Sequence, residues 1–146
     1  MNTRKKLSAS SEDYLEAIYN LTCHHQVARC RDIAASLNVS MASVTGALKF
    51  LCDKGLVNYK PYGYITLTDK GQKEALAVVR RHNIIESFFV NVLGVDEQDA
   101  KQAACKAEHA LGPAIISRLL SFTEFYRKQG DDVIAEFQNF CKSKGI

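Results

Sequence analysis

No stretch of this chain approaches the roughly 20 consecutive apolar residues that a membrane-spanning helix needs. The basic N-terminus, MNTRKKLSAS, is not followed by the apolar run of a secretory signal. A cytoplasmic protein without a membrane partner is therefore expected. The sequence has no CxxC motif, so a structural zinc ribbon is not expected. Its five cysteines, at 23, 30, 52, 105 and 141, are odd in number and show no paired spacing. That argues against a disulfide framework and fits a reducing compartment. There is no HExxH, no nucleophile elbow and no Gly-rich phosphate loop. Cys105 and His109 stand one helical turn apart, but no pattern suggests a substrate cleft, so neither an enzyme nor a small-molecule substrate is expected. Internal repeats and low-complexity segments are also missing.

What is present is a globular composition, 47% hydrophobic and 24% charged, in 146 residues. The charge is unevenly placed. Residues 1–75 carry ten Lys/Arg against seven Asp/Glu, whereas residues 76–146 carry nine of each. The whole net charge of +3 thus lies in the first half, a mild pointer to a polyanionic partner there.

Hydrophobic periodicity predicts a helix over 12–24, with Ser11 as N-cap, Glu12 and Asp13 in the first turn, and Tyr14, Leu15, Ile18, Tyr19 and Leu21 on the apolar face. A short helix over 30–37 and a tight Asn38-Val39-Ser40 connection lead to a third helix over 41–53. Val44, Leu48 and Leu51 point inward, and Gly55 caps its end. Ala34 and Ala35 supply small packing residues, and Val39 is expected to plug the turn. Residues 56–68, LVNYKPYGYITLT, read as a β-hairpin turning near Pro61–Gly63. Three helices and a two-stranded wing in this order form a winged helix-turn-helix. Ser40, Met41, Ser43 and Thr45, near the start of the third helix, are placed to reach phosphates or base edges of double-stranded DNA. Lys49, Lys60 and Arg31 supply charge for the backbone, and Tyr62 sits at the wing tip.

The second half reads as helices over 69–92, 96–111, 114–126 and 131–142, broken at Gly94, Gly112-Pro113 and Gly130. Ile84, Ile85, Phe88, Phe89, Ile115, Ile116, Leu119, Leu120 and Phe122 form its apolar faces. About 70 residues make a marginal core, which a second copy of the chain would remedy. The fold class is thus mainly α. A winged helix-turn-helix occupies residues 1–70, and an α-helical dimerisation and metal-binding domain occupies 71–146.

Cys105, Glu108 and His109 stand at i, i+3 and i+4, one face of a helix. A thiolate, a carboxylate and an imidazole together make a partial first shell for a divalent transition metal. Taken alone, the triple is equally compatible with a core cysteine beside two surface residues. His82 and Glu86, at i,i+4 on the preceding helix, and Asp13 and Glu16, at i,i+3 on the first helix, add to the metal reading. Each has an ordinary alternative: a capping charge for Asp13, a solvated face for Glu16, a satisfied half-buried histidine for His82. Cys23, His24 and His25 sit at a helix end in a poor arrangement for a metal; no role emerges for Cys30, Cys52 or Cys141.

The segments SEDYLEAIYNL (11–21), DIAASLNVSMASVTGALKFL (32–51), ITLTDKG (65–71), RRHNIIESFF (80–89) and LGVDEQDAKQAACKAEHAL (93–111) together resemble the diphtheria toxin repressor family of metal-dependent regulators. The likeness runs from about residue 8 to about residue 125 and is stronger to the short manganese-regulator branch. It implies a homodimeric repressor of metal-homeostasis genes that binds a palindromic operator when loaded with Mn(II) or Fe(II). It implies metal ligands at Asp13, Glu16, His82, Glu108 and His109, with Cys105 where the manganese branch has glutamate. Cysteine there is similar to the iron branch, in which the place of Asp13 is usually methionine. That branch also has an ancillary site whose His-x-x-x-Glu pair His82 and Glu86 match, but its further histidine falls at Lys101, which cannot serve. The ligand set is a hybrid. The oxygens of Asp13, Glu16 and Glu108 favour manganese or ferrous iron, while the thiolate of Cys105 pulls toward iron, cobalt, nickel or zinc. If two ions bind, His82, Glu86 and Glu108 are the bridging or second-site groups. The competing readings are a small-molecule-sensing winged-helix regulator, a metalloenzyme and a structural dimer module.

Overall fold

The computed structural model describes residues 7–25 and 27–146. Its elements are α1 (Ala9–His25), α2 (Cys30–Leu37), α3 (Met41–Asp53), β1 (Val57–Asn58), β2 (Thr66–Leu67), α4 (Asp69–Asn91), α5 (Glu97–Ala107), α6 (Pro113–Lys128) and α7 (Asp131–Ser143). No helix among the described residues is long and apolar enough to cross a membrane. The chain forms two compact units, residues 1–79 and 80–146.

In the first unit, α1, α2 and α3 enclose a core of Leu15, Ile18, Ile33, Val44, Leu48 and Leu51, none of them accessible to solvent. Leu56, Val57, Ile65 and Ala75 belong to the same cluster. Packing therefore assigns the first turns of α4 to this unit, which extends to Val79, whereas the boundary drawn from sequence at residue 70 cuts the helix just after it begins at Asp69. The wing strands pair antiparallel, Val57 with Leu67 and Asn58 with Thr66. Only these two residues of each strand pair. The turn at Pro61–Gly63 closes with the Gly63 N–H donating to the Lys60 carbonyl at 2.9 Å. Ala28 forms a further bridge with Ile65.

The helix ends follow local chemistry. Gly55, at φ +68°, ends α3. Its N–H donates to the Cys52 carbonyl (2.8 Å) and that of Leu56 to the Leu51 carbonyl (2.9 Å), the double bond of a Schellman cap. Asn38, at φ +53°, ends α2, a left-handed conformation that its short polar side chain tolerates. Three expectations need correction. α1 begins three residues before Glu12, and its cap is Ser8 rather than Ser11: the Ser11 N–H donates to Ser8 Oγ at 3.2 Å. Val39 does not plug the turn but stands 38% exposed, and Ala35 is exposed as well. The connection is held instead by backbone, the Val39 N–H donating to the Ala34 carbonyl at 3.0 Å.

The second unit has a thinner core, in which Ile85, Ala104 and Ile116 are buried, with Ile84, Phe89, Ala107, Leu111 and Leu119 packed against them. Ile115 and Phe122, two of the residues read from sequence as its apolar faces, are 50% and 47% exposed. Phe122 stacks on Tyr126, centroids 6.0 Å apart, and meets Phe88 edge-on at 6.1 Å.

Candidate metal centre and DNA-facing groove

The second unit gathers its titratable groups where α4 meets the end of α5. His82 lies on the buried side of α4, 6% exposed. Both of its ring nitrogens face carboxylates: Nδ1 is 2.7 Å from Glu108 Oε2, and Nε2 is 2.9 Å from Glu86 Oε2. A neutral imidazole has a single N–H to donate, so serving both carboxylates takes a second proton or another cation. Glu108 is 1% exposed. Its Oε1 is buried and accepts no hydrogen bond. His109 Nε2 stands 3.3 Å from that oxygen, near enough for ion pairing but not aligned for a hydrogen bond. Arg81 Nε donates to the Glu108 main-chain carbonyl at 3.0 Å, which fixes the backbone at this point.

His82, Cys105 and Glu108 each present a ligand atom within 4.8 Å of the others, and Glu108 and His109 do the same as a pair. An electron-rich set with an orphaned carboxylate oxygen at its centre fits a divalent cation, because burying such an oxygen without a partner is costly. The local fold differs from expectation in one respect. α5 ends at Ala107, not at residue 111. Glu108 is its C-cap and keeps helical angles (φ −59°, ψ −28°), and its N–H still donates to the Ala104 carbonyl. His109 lies in the following turn, where the N–H groups of Ala110 and Leu111 both converge on the Ala107 carbonyl at 3.0 Å. The helix tightens ahead of Gly112-Pro113, and His109 reaches Glu108 from this turn rather than from a continuing helix face.

Asp13 and Glu16 occupy α1 of the first unit and are half-buried, while neighbouring Glu12 is buried at 7% exposure. Periodicity marked Glu12 only as a favourable first-turn charge. Cys23 and His24 are exposed near the end of α1, and a hydrogen bond that the neutral Tyr19 phenol donates to Cys23 pushes that phenol up from its ordinary range. The side chain of His25 lies outside the described residues. The five cysteines carry no disulfide.

The first unit carries a groove of about 770 Å³ between α3, the wing and the start of α2. Of the residues expected at DNA, Arg31, Met41, Thr45, Lys49 and Tyr62 line it. Ser40 and Ser43 lie at the start of α3 instead. Ser40 Oγ accepts from the Ser43 N–H at 3.1 Å, so it caps the helix, and the two hydroxyls sit 2.9 Å apart. Thr45 Oγ1 donates back to the Met41 carbonyl at 3.0 Å. Lys60 is exposed at the wing turn but does not line the groove. Tyr62 is fully solvent-exposed and holds φ +60°, a left-handed conformation that is unusual for a bulky residue. The sequence reading missed Arg29, Tyr59 and Tyr64, which also line the groove. The basic, aromatic ARCRD and YKPYGY segments carried that signal, but their convergence depends on folding.

A winged helix-turn-helix followed by a helical unit in which a buried carboxylate and a buried histidine lie beside an exposed thiol is the layout of a DNA-binding regulator, and comparison with known proteins agrees. The profile described as "Iron dependent repressor, N-terminal DNA binding domain" matches residues 6–65. That described as "Iron dependent repressor, metal binding and dimerisation domain" matches residues 68–132. An uncharacterised HTH-type transcriptional regulator of Methanocaldococcus jannaschii is 42% identical over 122 residues, covering 83% of this chain and 98% of that protein. The HTH-type transcriptional regulator MntR of Lysinibacillus sphaericus is 35% identical over 124 residues, 85% of this chain and 88% of that protein. A solved manganese-dependent transcriptional repressor in complex with manganese superposes with a TM-score of 0.73 at 31% identity over 79% of this chain. The chain spans about half of that structure, 53% of its length. The chain belongs to the iron-dependent repressor family, the diphtheria toxin repressor family of its sequence motifs, and is a transcriptional regulator of the manganese-regulator-like branch.

Proposed function

We propose that this regulator represses metal-homeostasis genes by binding a palindromic operator as a homodimer when loaded with Mn(II) or Fe(II). The observation that carries the metal part is Glu108, buried with one carboxylate oxygen unserved and His82, Cys105 and His109 around it. A bound divalent ion would supply positive charge to that oxygen and release His82 from serving two carboxylates. His82, Cys105, Glu108 and His109 are the ligands from the second unit in this reading. Asp13 and Glu16 of α1 complete the set, as the family resemblance implies. Glu86, on the far nitrogen of His82, is the further ligand should a second ion bind. The carboxylates favour manganese and ferrous iron, and Cys105 leaves cobalt, nickel and zinc as competitors.

Ligands drawn from both units make metal affinity depend on the orientation of the DNA-binding head. By reciprocity, they also make DNA affinity depend on metal. A two-fold dimer reads a palindrome only when its two recognition helices keep the half-site spacing.

The test is fluorescence-anisotropy titration of the promoter duplex of the chain's own or a neighbouring metal-transport gene. It is run with chelator and then with each of Mn(II), Fe(II), Co(II), Ni(II) and Zn(II), at fixed salt because affinity depends steeply on it. Affinity should rise on the order of 5- to 150-fold with the cognate metal, the usual range of allosteric coupling. His109→Ala, Asp13→Ala and Glu16→Ala should each lose most of that rise. Equal binding with chelator and with every metal would remove the metal mechanism and leave a winged-helix regulator answering to another signal.

A further inference from the structure

The groove of the first unit holds a basic group whose seat is built in two ways. Arg29 immediately precedes α2. Its neighbour Ala28 is tied to the wing by paired backbone hydrogen bonds: the Ala28 N–H donates to the Ile65 carbonyl at 3.2 Å, and the Ile65 N–H to the Ala28 carbonyl at 2.9 Å. On the far side of that bridge, Tyr64 offers its ring to the Arg29 side chain. The guanidinium carbon sits 5.3 Å from the ring centroid, and Nη2 donates to Tyr64 Oη at 3.4 Å. Both residues line the same groove as Arg31, Thr45 and Lys49. Both are exposed, Tyr64 at 56%, so the contact buries no core and the fold does not need it.

An exposed arginine ordinarily loses many rotamers when it is held against a ligand. One already seated on an aromatic face has less freedom left to lose, which is how pre-organisation raises affinity. A guanidinium has five N–H donors and the tyrosine oxygen takes one, so the fork keeps donors for a phosphate. We propose that Tyr64 is a positioning residue for DNA binding, holding the Arg29 guanidinium at the groove for a backbone phosphate without being the contact itself. This rests on the DNA-binding role of the unit.

The experiment is anisotropy titration of the metal-loaded full chain on the promoter duplex across a salt series, with Arg29→Ala, Tyr64→Ala, Tyr64→Phe and the double variant Arg29→Ala/Tyr64→Ala. Losing one phosphate contact lowers the slope of log K against log salt by about 0.9, which Arg29→Ala should show. Tyr64→Ala should weaken binding about two- to fivefold, the size of an exposed cation–π contact, with the slope retained. Tyr64→Phe keeps the ring face and should bind as the parent does. The double variant should be no weaker than Arg29→Ala alone, since coupled residues do not add. The proposal is overturned if Tyr64→Ala binds as the parent does, if its loss adds in full to that of Arg29→Ala, or if Tyr64→Phe is as weak as Tyr64→Ala. A parent chain that binds no duplex under any condition would instead remove the DNA-binding reading itself.

Discussion

Glu108→Gln should leave the metal-free protein folded and erase its response to Mn(II) or Fe(II). The amide matches the carboxylate in size and still offers a polar atom to His82 Nδ1, 2.7 Å away, so the buried contact survives in kind. What disappears is the negative charge and the anionic oxygen that has no hydrogen-bond partner in the native cluster. For the parent, metal at about a hundredfold excess over its Kd should stabilise the native state by about 2.7 kcal/mol, which is several degrees in Tm for a domain of this size. The variant should show neither that rise nor the metal-dependent gain in DNA affinity, while its chelator-treated Tm stays near the parent's. Thermal denaturation followed by circular dichroism, with and without metal, measures both halves. A full metal-induced shift in Glu108→Gln would mean that the cation sits elsewhere.

Gly71→Ala should destabilise the DNA-binding unit more than an ordinary core substitution. A Cβ at Gly71 would lie 1.8 Å from the Leu56 carbonyl oxygen and 2.8 Å from its carbon. Both are backbone atoms, so no side chain can swing away. The same carbonyl already accepts the Thr68 N–H at 3.0 Å. Thr68 Oγ1 accepts from the Gly71 N–H at 3.0 Å and donates to the Gly55 carbonyl at 2.7 Å. The start of α4 is thereby stapled onto the segment that leaves α3, and the missing side chain of Gly71 is what lets the two backbones meet. The cost should exceed the 1–3 kcal/mol typical of overpacking (about that range for one added methyl). Gly46→Ala on α3 is the control: its Cβ would meet nothing within 4 Å. The gain in helix propensity there is roughly 0.8–1 kcal/mol. Urea titrations of the two variants should move in opposite directions; if Gly71→Ala unfolds at the same urea concentration as Gly46→Ala, the close approach is not real.

Much of this was legible in the residues because it is local. The bounds of α2 and α3 follow from apolar spacing and from Ser40 and Gly55, whose chemistry acts within a few residues. The pairing of His82 with Glu86 is one helical turn and needs no tertiary knowledge. The start of α1 is not fixed by the sequence because Ser8 and Ser11 are both competent caps; in the structure it is Ser8 Oγ that accepts from the Ser11 N–H at 3.2 Å. The end of α5 was misread because periodicity continues through Leu111 while the hydrogen bonds tighten at Ala107. The groove was only half legible. Its α3 side is a motif, but Arg29 and Tyr64 are 35 residues apart and meet through the Ala28–Ile65 bridge, a long-range pairing that no local pattern encodes.

The outward face of α6 carries a consequence for any measurement of stability. Ile115, Phe122 and Phe125 stand 50%, 47% and 58% exposed there, and the matching family profile names this region for dimerisation. Where such a face is covered by a second copy, mass action joins folding to association. Melting curves would then shift upward as the protein is concentrated and downward as it is diluted. A Tm taken at one concentration would describe a pair of chains at that concentration rather than a property of the single chain.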